Sequence, residues 1–166
     1  MAIFSWHDGE VPNEMQIKQV YGLVFTEDGR LLLRTEEKPN GMKYSLAGGR
    51  PETFDKSIEE TVRRELVEEV NVSMKPPVIV GYQKVDEEDG TPPFAQVRMV
   101  ALIDEIGEKR PDPDTGRTYG RYLTSPMKAA ELLDWGDVGY AQIKTAMKIA
   151  SASFGINSFS DTEEFV

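Results

Sequence analysis

Apolar residues recur at every fourth position through Ile58, Val62, Leu66 and Val70, a spacing that lines one face of a helix and offers it to a core. Ser57 stands just before this stripe and Glu60 three residues after Ser57. That is a capping box, in which hydroxyl and carboxylate each take an amide left unpaired at a helix start. Asn71 follows the last apolar residue, and asparagine is second only to glycine in adopting the left-handed conformation that ends helices. The pattern predicts a helix from the Ser57 cap to Val70.

Shorter apolar runs predict strands. Gln16 to Phe25, the turn chemistry of Glu27-Asp28-Gly29 and the run Leu31-Leu32-Leu33 read as a hairpin. Thr35 to Met42, with Pro39, Asn40 and Gly41, reads as a loop, and Tyr44-Ser45-Leu46 as a short strand that delivers the chain to Gly48-Gly49. Beyond the helix, strands are expected at Val78 to Val85, Ala95 to Ile103 and Tyr119 to Leu123. Ser125-Pro126 opens a short helix through Leu133, with proline in the first turn where its missing amide costs nothing. Val138 to Ala152 forms the last helix, with Ile143, Ala146, Met147 and Ala150 as its apolar face. The Ser-rich, acidic segment from Phe154 to Val166 is expected to fray or to dock on a neighbouring element. Strands interleaved with helices make an α/β layered domain, here one domain over residues 1–166.

The first helix also carries Glu65, Glu68 and Glu69. Residues three and four apart are neighbours on a helix, and like charges so placed repel by roughly a few tenths of a kcal/mol per pair. Acidic runs on helices are usually solvated faces. Here, however, Gly48-Gly49 lies just upstream, and a glycine pair permits a tight bend with carbonyls uncovered by side chains. A Gly48 carbonyl and three carboxylates are hard oxygen donors suited to magnesium.

These residues resemble the Nudix box, whose pattern is Gly, five residues, Glu, seven residues, Arg-Glu, an aliphatic, any residue, Glu-Glu, any residue, Gly, an aliphatic. Arg64-Glu65-Leu66-Val67-Glu68-Glu69-Val70-Asn71-Val72 fits the second half, with Asn71 in place of Gly. The first half departs: five residues after Gly49 comes Asp55 rather than Glu, and eight residues rather than seven separate it from Arg64. A one-residue insertion before Ser57 reconciles the spacing, and leaves open how well Asp55 does the work of the family's Glu. The resemblance implies an α/β/α sandwich around a mixed β-sheet. It also implies a hydrolase that cleaves a phosphoanhydride in a nucleoside diphosphate linked to another group, using magnesium or manganese. By resemblance, Gly48, Glu65, Glu68 and Glu69 are the metal ligands and Arg64 orients Glu65. Family members often add an acidic ligand from a later loop, for which the candidates are Asp112 and Asp114 or the stretch Asp86 to Asp89, although Pro111-Asp112-Pro113-Asp114-Thr115-Gly116 is also good turn sequence on its own terms. Asp112 to Leu123 is not an EF-hand loop, because its twelfth position is Leu123 where a bidentate Glu is needed.

Composition narrows the field. The chain has 166 residues, 39% of them hydrophobic, enough for a real core. It has no cysteine, which excludes a disulfide-stapled scaffold and any Cys-ligated metal. A net charge of −10 opposes binding to long nucleic acid, where affinity comes from Lys and Arg neutralising phosphates. The amino terminus lacks a basic region followed by an apolar stretch, so a cytoplasmic protein without membrane partners is expected, with a homodimer as the commonest assembly.

For the substrate's anionic end the candidates are Arg50, Arg34, Arg98 and Arg121, with Lys43 beside them. Arg50 directly follows the glycines and can fork onto a phosphate. Trp135 and Tyr140 offer rings that stack on a base, although aromatics beside a helix start are more often core. Trp6 and His7 read as structural. A binding module, in which the disturbed half of the box has cost catalysis but not ligand binding, is the second function carried forward.

Overall fold

The computed structural model describes residues 1–166. Its long strands alternate. Along β2 (Gln16–Phe25), after β1 (Ile3–Asp8), Val20 and Val24 join one core cluster while Leu23 and Phe25 join another. The period of two therefore sends side chains to both faces of one sheet, so both faces must be covered. Next come β3 (Leu31–Lys38), β4 (Gly41–Ser45), β5 (Gly48–Gly49), α1 (Ile58–Val70), β6 (Val72–Met74), β7 (Val78–Asp86), β8 (Phe94–Ile106) and β9 (Gly120–Thr124). The chain ends with α2 (Pro126–Leu133), α3 (Gly136–Phe154) and β10 (Glu164–Phe165). Helix α1 covers one face through Val62, Leu66 and Val70. Helices α2 and α3 cover the other through Ala129, Leu133, Ile143, Ala146 and Ala150. The result is an α/β/α sandwich.

The sheet runs β1-β7-β8-β2-β3-β9-β10, with β4 on β3, β5 on β2 and β6 on β8. It is mixed, because β2 and β8 are parallel while the other pairs are antiparallel. One irregularity makes room for a site. Strands β2 and β3 pair only at Phe25 and Leu31, and between them the short β5 lies against Val20 and Tyr21. The glycine strap thus occupies a split in the sheet.

The pattern misses several strands, the two-residue β5 and β10 among them. Thr35 to Met42 is not a loop: β3 continues to Lys38 and returns as β4, with Lys38 opposite Gly41. The hairpin is mostly polar and largely solvent-facing, so no apolar alternation announces it and the ladder alone holds it. Strand β1 is an edge strand on β7 with no fully buried residue. The three-residue β6 is too short for a period. The tail docks, with Glu164 and Phe165 paired to β9 and Phe159 edge-on to Phe25. No helix is long and apolar enough to cross a membrane.

Candidate metal centre and adjoining cavity

Helix α1 begins as its sequence dictates. The Ser57 hydroxyl accepts the Glu60 amide at 3.2 Å, and the Glu60 carboxylate returns to the Lys56 amide. It ends at Asn71, whose φ of 51° and ψ of 50° are left-handed. The last turn contains no basic residue, yet it holds Glu68 and Glu69 at the negative pole of the helix dipole, where anions are disfavoured. Neighbouring elements offset that charge.

Arg64 is the hub. Its Nε and Nη2 donate to the two oxygens of Asp55 at 3.1 and 2.9 Å, and Nη1 donates to Glu65 and Glu68 at 3.1 and 3.2 Å. Asp55 also accepts the Thr61 hydroxyl at 3.0 Å and the Glu52 amide at 2.9 Å. The guanidinium and these donors hold the Asp55 carboxyl well below the usual carboxylate range. The inserted residue is therefore absorbed before Ser57, and Asp55 reaches Arg64 despite the altered spacing.

Gly49 sets how close Glu65 comes. A Cβ at Gly49 would lie 2.5 Å from the Glu65 carboxyl carbon and one of its oxygens, so only glycine lets that carboxylate lie against the strap. Burial raises the Glu65 proton affinity, opposed by Arg64 and reinforced by Glu68. Glu69 is buried deeper, at 5% exposure. One of its oxygens accepts the Gly48 amide at 2.7 Å, and the other pairs with Arg34. Burial pushes its carboxyl up to about 7 against the pull of Arg34 and that amide. Gly48 thus meets Glu69 through its N–H, where the sequence suggested a carbonyl beside a shared cation.

The loop between β8 and β9 returns Asp112 and Asp114 to α1. One oxygen from each of Glu68, Asp112 and Asp114 lies within 4.8 Å of the others, and Asp112 is buried. The turn chemistry is present as well: Asp112 Oδ1 accepts the Asp114 amide at 2.9 Å. The Asp86 to Asp89 stretch is not part of this cluster. It lies in the β7–β8 hairpin, where Asp86 accepts the Glu88 amide and Asp89 the Thr91 amide. Asn71 contributes something its place in the pattern did not announce. Its Nδ2 donates to the Glu108 carbonyl at 2.8 Å and its own carbonyl accepts the Gly107 amide at 2.9 Å, which ties the start of the aspartate loop to the helix end.

The four candidate arginines separate. Arg34 sits over the Tyr119 ring, pairs with Glu69 and lines a cavity of about 510 Å³. Arg50 is exposed and in no ion pair, its carbonyl accepting from Arg64 at 3.2 Å. Arg98 is buried and lines the same cavity with Tyr21, Lys43 and Trp135. Arg121 is turned inward: its donors go to the carbonyls of Val70, Gly107 and Val166 at 3.0, 2.6 and 3.1 Å. It clamps the helix end, the start of the aspartate loop and the last residue. Tyr140 lies outside the cavity lining. Trp6 donates to Asp8 at 2.7 Å and His7 stacks on Tyr82, both structural. Gln83, Gln96 and Gln142, which surround Arg98, went unnamed in the sequence. A polar residue inside the apolar run Ala95 to Leu102 was the available signal.

Residues 15–143 match the NUDIX domain. Among solved structures, the chain is similar to the Bacillus subtilis pyrophosphohydrolase BsRppH, with a TM-score of 0.67 at 19% identity over 87% of this chain and 90% of that one. It is similar to a NUDIX hydrolase from Nitrosomonas europaea, with a TM-score of 0.61 at 18% identity over 81% and 90% of the two chains. It also resembles the C. elegans Ap4A hydrolase, with a TM-score of 0.53 at 14% identity over 81% and 98%. Likeness at such identities is likeness of fold. No curated protein matches the sequence.

Proposed function

This chain belongs to the Nudix hydrolase family, and on that premise we propose that it is a magnesium-dependent enzyme that cleaves the pyrophosphate bond of a nucleoside diphosphate linked to another group. The observation that carries the reading is the convergence of Glu68, Asp112 and Asp114 beside Glu65 and the glycine strap. The donor set fits the cation: every candidate side chain offers carboxylate oxygen, the hard donor that magnesium prefers. A divalent ion bound there supplies charge neutralisation at the phosphates and a more acidic water.

The chain's own groups do the rest. Asp55 holds Arg64, and Arg64 holds Glu65 and Glu68 turned toward one side of the helix. Glu68, Asp112 and Asp114 are the side chains ready to take the cation, with Glu65 adjoining. Glu69 accepts the Gly48 amide on one oxygen and pairs with Arg34 through the other, and each oxygen keeps a lone pair with which it can join them, together with the Gly48 carbonyl. Arg34 and Lys43 lie on the cavity wall, where they can meet phosphate oxygens. Arg50 stands exposed beside the glycines with its guanidinium in no ion pair, and Arg forks suit phosphate.

The test is phosphate release from a mixed panel of nucleoside diphosphate derivatives with magnesium. Turnover of at least one compound, abolished in Glu68→Gln, is expected. Ligand-induced thermal stabilisation without turnover of any compound would instead identify a binding module. The Asp55 bond to Arg64 supports the catalytic reading, because the disturbed half of the box still reaches its arginine.

A further inference from the structure

Arg98 is 3% exposed and has no carboxylate partner. Buried charges are ordinarily paired, so its surroundings show what it waits for. Its Nε donates to Gln142 Oε1 at 3.0 Å. Nη1 donates to the Gln96 carbonyl and Nη2 to Gln83 Oε1, both at 3.3 Å. A guanidinium has five N–H donors, so two are left over at its terminal nitrogens. The Tyr21 and Trp135 rings lie 4.8 and 5.1 Å from its central carbon and fix its plane. The side chain is thus held rigid at the wall of the cavity of about 510 Å³, a volume in the range of small-molecule pockets.

No carboxylate lines that cavity, whose charged side chains are Arg34, Lys43 and Arg98. They occupy different places. Arg34 reaches Glu69 on the carboxylate helix, whereas Arg98 lies against α3, among Gln142 and Trp135 on the opposite face of the sheet. Phe4, Leu46 and Val138 add apolar wall. A phosphate at Arg98 would present several charged oxygens to one buried cation among apolar and aromatic side chains. A flat heterocycle suits that surface better, provided its edge offers acceptors side by side to the free N–H groups.

We propose that Arg98 is a specificity-determining residue that selects a 6-oxopurine, guanine or hypoxanthine, over a 6-aminopurine in the substrate. The inference rests on the nucleotide-diphosphate reading above and names its base. Purine O6 and N7 form an acceptor pair that a guanidinium fork reads bidentately, whereas the N6 amino group of adenine sets donor against donor. The base lies toward Arg98, and the diphosphate runs toward Arg34, Lys43 and the carboxylates.

The test is calorimetric titration of the full chain with GMP, IMP, AMP and inorganic pyrophosphate, in chelator so that neither cation nor turnover is needed. GMP and IMP are expected to bind at least about tenfold more tightly than AMP, and Arg98→Lys, which keeps charge but loses the fork, brings them down to the AMP level. Equal binding of the three nucleotides, or tighter AMP, overturns the proposal. So does pyrophosphate binding that Arg98→Lys abolishes, which would make Arg98 a phosphate site. If the variant fails to fold, the comparison on the unmodified chain still decides. Absence of hydrolysis in the panel above would reject the enzymatic reading and leave this selectivity measurable.

Discussion

Asp55 grips Arg64 with both carboxylate oxygens, across a stretch that is one residue longer than the family's spacing. The pair holds the arginine that in turn holds Glu65 and Glu68, so its loss has two consequences. Asp55→Asn is expected to lower stability at pH 7 by roughly 1–3 kcal/mol, the scale of hydrogen bonds to charged groups. It also lowers activity, because Arg64 is freed. The pH dependence has a definite sign. The folded-state carboxyl lies below its ordinary value of 3.8, so its stabilisation is full above that value and is lost as pH falls through the lower folded value. Urea unfolding at a series of pH values checks this: the gap between wild type and Asp55→Asn is widest near neutrality and narrows in acid. A gap that stays constant with pH would show that the charge on Asp55 contributes nothing to stability.

Gly49→Ala separates fold from site. The three atoms nearest the added methyl all belong to the end of the flexible Glu65 side chain, so Glu65 swings away at small cost. Stability is expected to change by less than about 1 kcal/mol. Magnesium affinity falls between about ten- and a hundredfold, as it does when a ligand's supporting contacts are disturbed. Thermal unfolding and a metal titration on the same sample compare the two effects directly. An unfolded variant would mean that the strap, and not Glu65, is what yields.

Legibility followed physical cause. Helix α1 was readable to its caps because apolar period, capping box and left-handed asparagine are local signals that agree. The same holds for Gln16 to Phe25 and for the Pro126 helix. The hairpin at Pro39-Asn40 was not readable, since its pairing is main-chain and its side chains face solvent. At the site, the carboxylates and Arg64 stood in one helix and could be read together. The partners of Arg121 and Arg98 are distant in sequence, at Val166 and Gln142, and only the assembled fold brings them near. Composition marked both arginines as cations, but their surroundings make one a clamp and the other a wall of a cavity.

Asp112 lies in the β8–β9 loop and Asp86 at the end of β7, and only Asp112 shares a cluster with α1. Asp112→Asn is therefore expected to weaken magnesium binding by about tenfold or more and to lower turnover with it. Asp86→Asn, confined to its own hairpin turn, should leave both within about twofold, in line with surface substitutions away from special features. Equal effects from the two variants would disconnect the aspartate loop from the metal.

Asn71 tests whether a cap can also be a tether. Replacing it with glycine relieves a left-handed side-chain residue, a gain set against the loss of the 2.8 Å bond to the Glu108 carbonyl, worth about 1 kcal/mol. The two terms nearly cancel, so unfolding midpoints of Asn71→Gly and wild type should lie close together. The loop that carries Asp112 and Asp114, however, loses one of its side-chain ties to the helix end, and its ordering must then be supplied by the cation. The expected result is metal affinity lowered several-fold at nearly unchanged stability, with faster hydrogen exchange between Glu108 and Gly116 in the metal-free protein. Adding magnesium should restore the protection. If exchange in that loop is the same in both proteins, the asparagine serves only to end the helix.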